Sequence, residues 1–256
     1  MRQFMAFVKK EWMEQLRTGR FLLLLIVFLL FGILSPALAK LTPLLYEMMQ
    51  ESMQEQGLVL QSVTVTALTS WQQFYKNISM MLLVLVAMSS GVLTGEYQKG
   101  TLIIVLTRGL PRWMVIAGKM LVQMVCWTIY YWSAFGITLA YTVYFWDNGI
   151  AKHWLFAGFG IYLVGLWLLG LLMLGSVLLR NNMGVMLFTG AVVMVCYLAG
   201  MVPDIAGWLP TRLLASGTLL NGVVKMDEFA KAAWVCAGTG VLCVGLAAAG
   251  FNKKRL

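Results

Sequence analysis

Six apolar stretches, each long enough to cross a bilayer, dominate the pattern of the chain: Phe21–Ala39, Ile78–Thr94, Met114–Trp146, Trp154–Leu179, Gly184–Val202 and Ala232–Phe251. A bilayer core about 30 Å thick is spanned by about 20 residues of helix at about 1.5 Å each. In lipid the backbone must satisfy its own hydrogen bonds, so only helices or closed barrels cross, and these runs lack the alternation of barrel strands. The pattern predicts an all-α polytopic membrane protein with six transmembrane helices. The third run exceeds a minimal crossing, so it tilts or projects at Tyr141–Trp146, where Tyr, Phe and Trp cluster as they do at a membrane surface.

The polar segments add the rest of the layout. In Met1–Arg20, Phe4, Phe7, Val8, Trp12 and Leu16 fall near one face of a helix, which predicts an amphipathic helix over residues 1–20 lying along the inner membrane surface. A basic stretch, an apolar run and Ala37-Leu38-Ala39 superficially resemble a cleavable leader, but the length of Met1–Arg20 and its two Glu argue for retention. Lys40–Lys76, the longest polar piece, places Leu44, Leu45, Met48 and Met49 at helical spacing and predicts an exposed helix over the outer face. Asn77-Ile78-Ser79 matches a glycosylation sequon, too close to the membrane for use. No linker or repeat divides the chain, so residues 1–256 read as one domain.

Charge sets the orientation. Arg2, Lys9, Lys10, Arg17, Arg20, Lys99, Arg108, Arg112, Lys119, Arg180, Lys253, Lys254 and Arg255 occupy one alternating set of segments with only Glu11, Glu14 and Glu96. The opposite set holds Lys40, Lys76, Lys152, Arg212, Lys225 and Lys231 beside seven acids. Cytoplasmic loops retain the basic excess, so both termini are expected in the cytoplasm. The net charge of +9 is then explained by topology and by attraction to anionic headgroups in the bilayer, and does not indicate nucleic-acid binding.

Most catalytic chemistry lacks its residues. Cys126, Cys196, Cys236 and Cys243 all lie within spans, where cysteine behaves as a small packing residue, and no metal spacing appears. One histidine, His153, sits at the outer edge of the fourth span and reads as an interfacial polar residue. Charged groups are nearly absent from the span interiors, leaving no carriers for a proton relay. Ser89-Ser90-Gly91 has no base in view. Gly95-x4-Gly100 is followed by Thr101 where a phosphate loop needs Lys. These absences point to a non-enzyme with no catalytic residue, metal or cofactor of its own.

Residues 95–112 depart from a bland loop. Leu102, Ile103, Val105 and Leu106 predict a short apolar helix flanked by Lys99, Arg108 and Arg112, closed by Gly109, with Pro111 opening the next helix. Such a segment suits the headgroup layer or a groove on a partner. A basic amphipathic helix containing Lys10-Glu11 and ending near Arg17 and Arg20, six spans, and the motif of Glu96, Gly100, Thr101, Leu102, Leu106, Thr107, Pro111, Arg112, Gly118 and Lys119 together resemble the membrane subunits of ABC-2-type transporters, the type V exporter fold.

That resemblance implies a permease in the cell membrane, of bacterial type, that forms a homodimer or a heterodimer with a related subunit. It implies two copies of a cytosolic ABC ATPase, which would bind the ATP and Mg. By the same resemblance Glu96 to Thr107, with Tyr97, Lys99, Arg108, Pro111 and Arg112 around it, is the coupling helix. Phe4, Val8, Lys10, Glu11, Trp12 and Arg17 belong to a second contact. In the family the segment between spans five and six often dips back into the outer leaflet, a place taken here by residues 203–231. Ser89, Ser90, Thr94, Tyr130, Tyr131 and Thr138 are candidates for cavity lining, although packing between helices favours the same residue types. Gly91-x3-Gly95 is a candidate tight helix crossing. An uncharged interior favours amphipathic or apolar cargo such as a peptide, antibiotic or lipid-like molecule. The alternative is a non-transporting immunity, sensory or regulatory membrane protein that docks a cytosolic partner through the same helix.

Overall fold

The computed structural model describes residues 2–54, 65–102, 107, 109–222 and 224–253. Helix α1 covers Arg2–Arg17, α2 Arg20–Gln54, α3 Ala67–Ser89, α4 Gly91–Lys99, α5 Arg112–Phe145, α6 Trp154–Leu178, α7 Asn182–Ala199, α8 Pro203–Ala206 and α9 Asp227–Lys253. A run of 3₁₀ turns over Pro210–Asn221 connects α8 to α9, and no strand occurs among the described residues. Six helices are long and apolar enough to cross a membrane: Arg20–Leu44, Ala67–Lys99, Arg112–Phe145, Trp154–Leu178, Asn182–Ala199 and Asp227–Lys253. The protein is an all-α, multi-pass membrane protein.

Helix α2 runs unbroken through Pro36 and Pro43. Proline lacks the N–H that would bond the carbonyl four residues back, so Pro36 leaves the Gly32 carbonyl without its helical donor. The Thr138 hydroxyl of α5 donates to that oxygen at 2.9 Å. Gly32 permits the approach, since a Cβ there would stand 2.8 Å from the Ala134 carbonyl oxygen. A missing intrahelical bond is thus repaired across the α2–α5 contact, as lipid requires.

At the same end of the bundle the Ser70 and Thr142 hydroxyls bond at 2.7 Å, and the Lys40 ammonium lies 4.0 Å from the centre of the Phe145 ring. Asn77, the sequon residue, donates from its side-chain nitrogen to the Ser35 hydroxyl at 3.1 Å between α3 and α2. The segment over residues 203–231 folds back onto the bundle, burying Leu213, Ser216, Leu219 and Leu220. Its Ser216 hydroxyl donates to the Ala157 carbonyl of α6 at 2.9 Å.

The core is aromatic and centred on α5 and α6. Trp127, Tyr130 and Tyr131 are almost wholly buried, with Phe28, Trp71, Phe74 and Phe135 packed around them. The Trp127 indole N–H donates to the Tyr162 carbonyl at 3.0 Å, and the Tyr131 hydroxyl to the Gly158 carbonyl at 2.6 Å. Gly160, Gly165, Gly170 and Gly175 repeat every five residues, which advances each around the helix by about 140°. Each therefore meets a different neighbour: the Ser216 segment, Trp127 of α5, the Gly240 backbone of α9 and Phe188 of α7. Helix α6 is the central post for this reason.

The pairing expected from Gly91-x3-Gly95 is corrected. A Cβ at Gly91 would meet only the Asn182 side chain, at 3.0 Å, and one at Gly95 would meet nothing within 4 Å. A single turn residue, Ser90, itself in the right-handed helical conformation, separates α3 from α4. The two glycines therefore do not form one crossing surface.

Candidate functional site at the junction of α1, α4 and α5

At the other end of the bundle α1 packs on α5, and its wheel explains how. Phe4, Phe7, Glu11 and Gln15 recur at three- and four-residue steps and face inward, and Phe7, Glu11 and Gln15 are buried. Gly118 of α5 admits the Phe7 ring, because a Cβ there would come within 2.7 Å of it. Val8 and Trp12 are partly buried beside this stripe, whereas Arg17 and Leu16 are exposed.

The stripe brings Glu11 into the bundle, where three elements contribute charge. Lys119 of α5, only 1% exposed, reaches Glu11 of α1 at 2.7 Å and Glu96 of α4 at 3.2 Å. Its ammonium also donates to the Val92 carbonyl at 3.2 Å. On the outer side Lys10, with 41% of its side chain exposed, reaches Glu96 at 2.6 Å, Glu14 at 2.8 Å and Glu11 at 2.9 Å. The two deeply buried carboxylates, Glu11 and Glu96, thus share two ammoniums. Buried charge persists only with such partners, because desolvation of an isolated ion is prohibitive. The carboxylates of Glu11, Glu14 and Glu96 lie close enough together to suit a cation, and the Lys10 and Lys119 ammoniums supply that charge.

Glu96 lies one turn before Gly100, which ends α4 in the left-handed conformation at φ 67°. Gly109, also at positive φ (82°), and Pro111 then lead into α5. Thr101 is exposed and Leu102 buried. Leu106 and Arg108 of the expected coupling segment lie outside the described residues. Tyr97 packs its ring against Phe251 of α9, and Arg112 donates to the Phe251 and Asn252 carbonyls at 3.5 and 3.4 Å. The α9 C-terminus is thereby joined to the same junction. Lys99 projects outward and is exposed.

The six lining candidates are dispersed through the packing. Thr138 bonds Gly32, Tyr131 bonds Gly158, and Tyr130 sits among the rings of Phe21 and Phe28. Ser90 donates to the Ala87 carbonyl; Thr94 donates to the Ser90 carbonyl and bonds the Asn182 side chain. Ser89 borders a small void shared with Gln123 and Ser176. A larger apolar groove of about 310 Å³ opens elsewhere, between α3, α6, α7 and the 3₁₀ segment, lined by Leu82, Val86, Trp167, Met186, Thr189 and Leu214 among others.

Lys119 and Glu14 were not among the site residues expected from sequence. The available signal was a lysine at the eighth position of an otherwise apolar helix, a place that requires a buried acid nearby. For Glu14 the signal was Lys10 four residues before it.

Titration of the outer part follows from this geometry. Burial favours protonated Glu14, but the adjacent Lys10 ammonium outweighs it and holds the carboxyl below its ordinary 4.5. Burial likewise disfavours the Lys10 charge, and Glu14, Glu96 and Glu11 more than offset it, holding the ammonium above its ordinary 10.5. A lowered acid stabilises the fold above its unfolded pKa and loses that contribution as pH falls; a raised base does so below its unfolded pKa and loses it as pH rises. The seating of α1 is therefore expected to be flat from about pH 5 to pH 10 and to loosen on either side, as Glu14 protonates below that range and Lys10 deprotonates above it. Protease cleavage of α1 as a function of pH checks this; a midpoint near neutrality would contradict it.

A bundle of six apolar helices with a charge-locked junction at one end is the architecture of a multi-pass integral membrane protein. A family model described as ABC-2 family transporter protein matches residues 5–225, and the chain belongs to that family. Members are generally non-catalytic transport subunits that work with an ABC ATPase. No curated protein matches the chain closely enough to count as a relative.

Proposed function

We propose that this chain is the membrane-spanning permease subunit of an ATP-binding cassette exporter in the bacterial cell membrane. The charged junction lies at its cytoplasmic end, with both termini on that side. It dimerises with itself or a related subunit and sits on two cytosolic ATPase subunits that bind ATP and Mg. The coupling segment, Glu96 to Thr107, enters a cleft on the ATPase. Movement of that segment passes through Glu96 and Lys119 to α1 and α5 as a rigid-body shift, since packed elements joined by buried ion pairs move together.

The observation that carries this reading is the junction itself. Glu96 stands one turn before Gly100 and is bound by cations from α1 and α5, so the start of the coupling segment is tied to both helices. The apolar groove between α3, α6 and α7 supports an apolar or amphipathic cargo over a small ion.

Co-expression with the ATPase encoded nearest the gene tests the proposal. The detergent-extracted pair is expected to copurify with transport-linked ATP hydrolysis. Gly100→Val forces a β-branched residue into the left-handed region, at a cost of about 1–2 kcal/mol. It is expected to lower ATPase retention or coupling while leaving membrane insertion intact. A subunit that never retains an ATPase would favour a non-transporting regulatory role.

A further inference from the structure

We propose that a single water molecule is a fixed component of the bundle, held where α3 gives way to α4 and hydrogen-bonded to Ser89, Gln123 and Ser176. Hydroxyls within these spans commonly donate to a carbonyl of their own helix, as Ser35 does to Phe31, Ser176 to Leu172 and Thr189 to Val185. Ser89, the last residue of α3 and only 6% exposed, does not: its oxygen has no hydrogen-bond partner among the described residues. A hydroxyl shut away from solvent without a hydrogen bond is costly, and lipid offers it none.

The void that Ser89 borders supplies the room and the other partners. The centre of a water molecule has about 10 Å³ of free space there, and a buried water needs little more than its own sphere. Gln123 of α5, buried, brings an amide that both donates and accepts. The Ser176 oxygen of α6 gives its proton to Leu172 and still accepts. Three polar groups on one small void suffice to hold a water, whereas a void lined only by Leu and Met stays dry. A metal cation is the poorer occupant. No carboxylate lines the void, and the carbonyl of Val92, another of its walls, already accepts from the Lys119 ammonium at 3.2 Å. The water therefore joins α3, α5 and α6 immediately inside the charged junction. The site is built from the spans alone and is independent of ATPase coupling.

The test is radiolytic footprinting of the full chain in nanodiscs, in buffer carrying a membrane-impermeant radical scavenger. Hydroxyl radicals made from water inside the protein attack the side chains beside them before a scavenger in bulk solvent intervenes, and methionine oxidises readily. Met173 lines the void and is 5% exposed; Met81, fully buried in α3, does not line it. Peptide mass spectrometry is expected to show Met173 oxidised severalfold faster than Met81. Ser89→Ala with Gln123→Leu leaves the water one partner and is expected to lower the Met173 rate about fivefold or more, the equivalent of one hydrogen bond. An unchanged rate at Met5, 66% exposed, measured without scavenger, reports that the variant is folded. Ser89→Thr keeps the hydroxyl and should keep the parent rate. Equal oxidation of Met173 and Met81 in the parent chain would overturn the proposal, and that comparison needs no variant. Oxidation of Met173 that the scavenger suppresses as fully as that of Met5 would overturn it too, by opening the void to bulk solvent. So would a Met173 rate that survives in the folded double variant, since the water would then be held by other groups.

Discussion

Lys119→Met is expected to be the most damaging single change at the junction, costing about 3–5 kcal/mol of stability and releasing α1 from α5. Glu11, Glu96 and Lys119 are each at most 4% exposed. Removing the lysine leaves two buried carboxylates facing only Lys10, whose side chain is 41% exposed. Glu96→Gln should cost less, because Glu11 and Lys119 remain a matched pair at 2.7 Å. The predicted order is measurable by thermal unfolding in detergent together with proteolysis of α1. Equal losses in both variants would mean that the junction is held by packing of Phe7 into Gly118 and not by charge balance.

Gly165→Ala is expected to have the second largest effect, at about 1–3 kcal/mol, the usual range for overpacking a core. A Cβ at Gly165 would collide with the indole ring of Trp127. That ring has nowhere to go: it is fully buried, its N–H is bonded to the Tyr162 carbonyl at 3.0 Å, and Phe28, Tyr131 and Tyr162 pack against it. Gly95→Ala is the control, since a Cβ there meets nothing and alanine is the better helix former by about 1 kcal/mol. It should leave the melting temperature unchanged or raise it. Destabilisation at Gly95 equal to that at Gly165 would show that the loss of glycine, and not the ring contact, sets the effect.

The spans were legible because their signal is compositional: a run of about 20 apolar residues has few other uses. The predicted Trp154–Leu179 and observed Trp154–Leu178 differ by one residue. Their extensions were less so. The second crossing begins at Ala67, because Trp71 and Phe74 continue the buried stripe of Ile78 outward through Gln72, Lys76 and Asn77. The expected outer helix after Lys40 is, as far as Gln54, a continuation of α2, which runs on through Pro36, whose freed Gly32 carbonyl Thr138 serves, and through Pro43. At the site, Lys10, Glu11 and Glu96 were readable as motif positions, whereas Lys119 was read for topology and motif and left out of the site. Nothing in its neighbours along the chain says that Glu11, 108 residues away, would reach it.

Local pattern by itself determined the crossing number, the amphipathic first helix and the turn residues Gly109 and Pro111, because each depends on hydropathy period or on backbone preference within a few residues. Which charges become partners, which glycine receives which neighbour, and which carbonyl a distant threonine repairs were decided only by the tertiary structure. Those outcomes depend on distances between segments far apart in the chain, set when α6 takes the centre and α1 lies across α5.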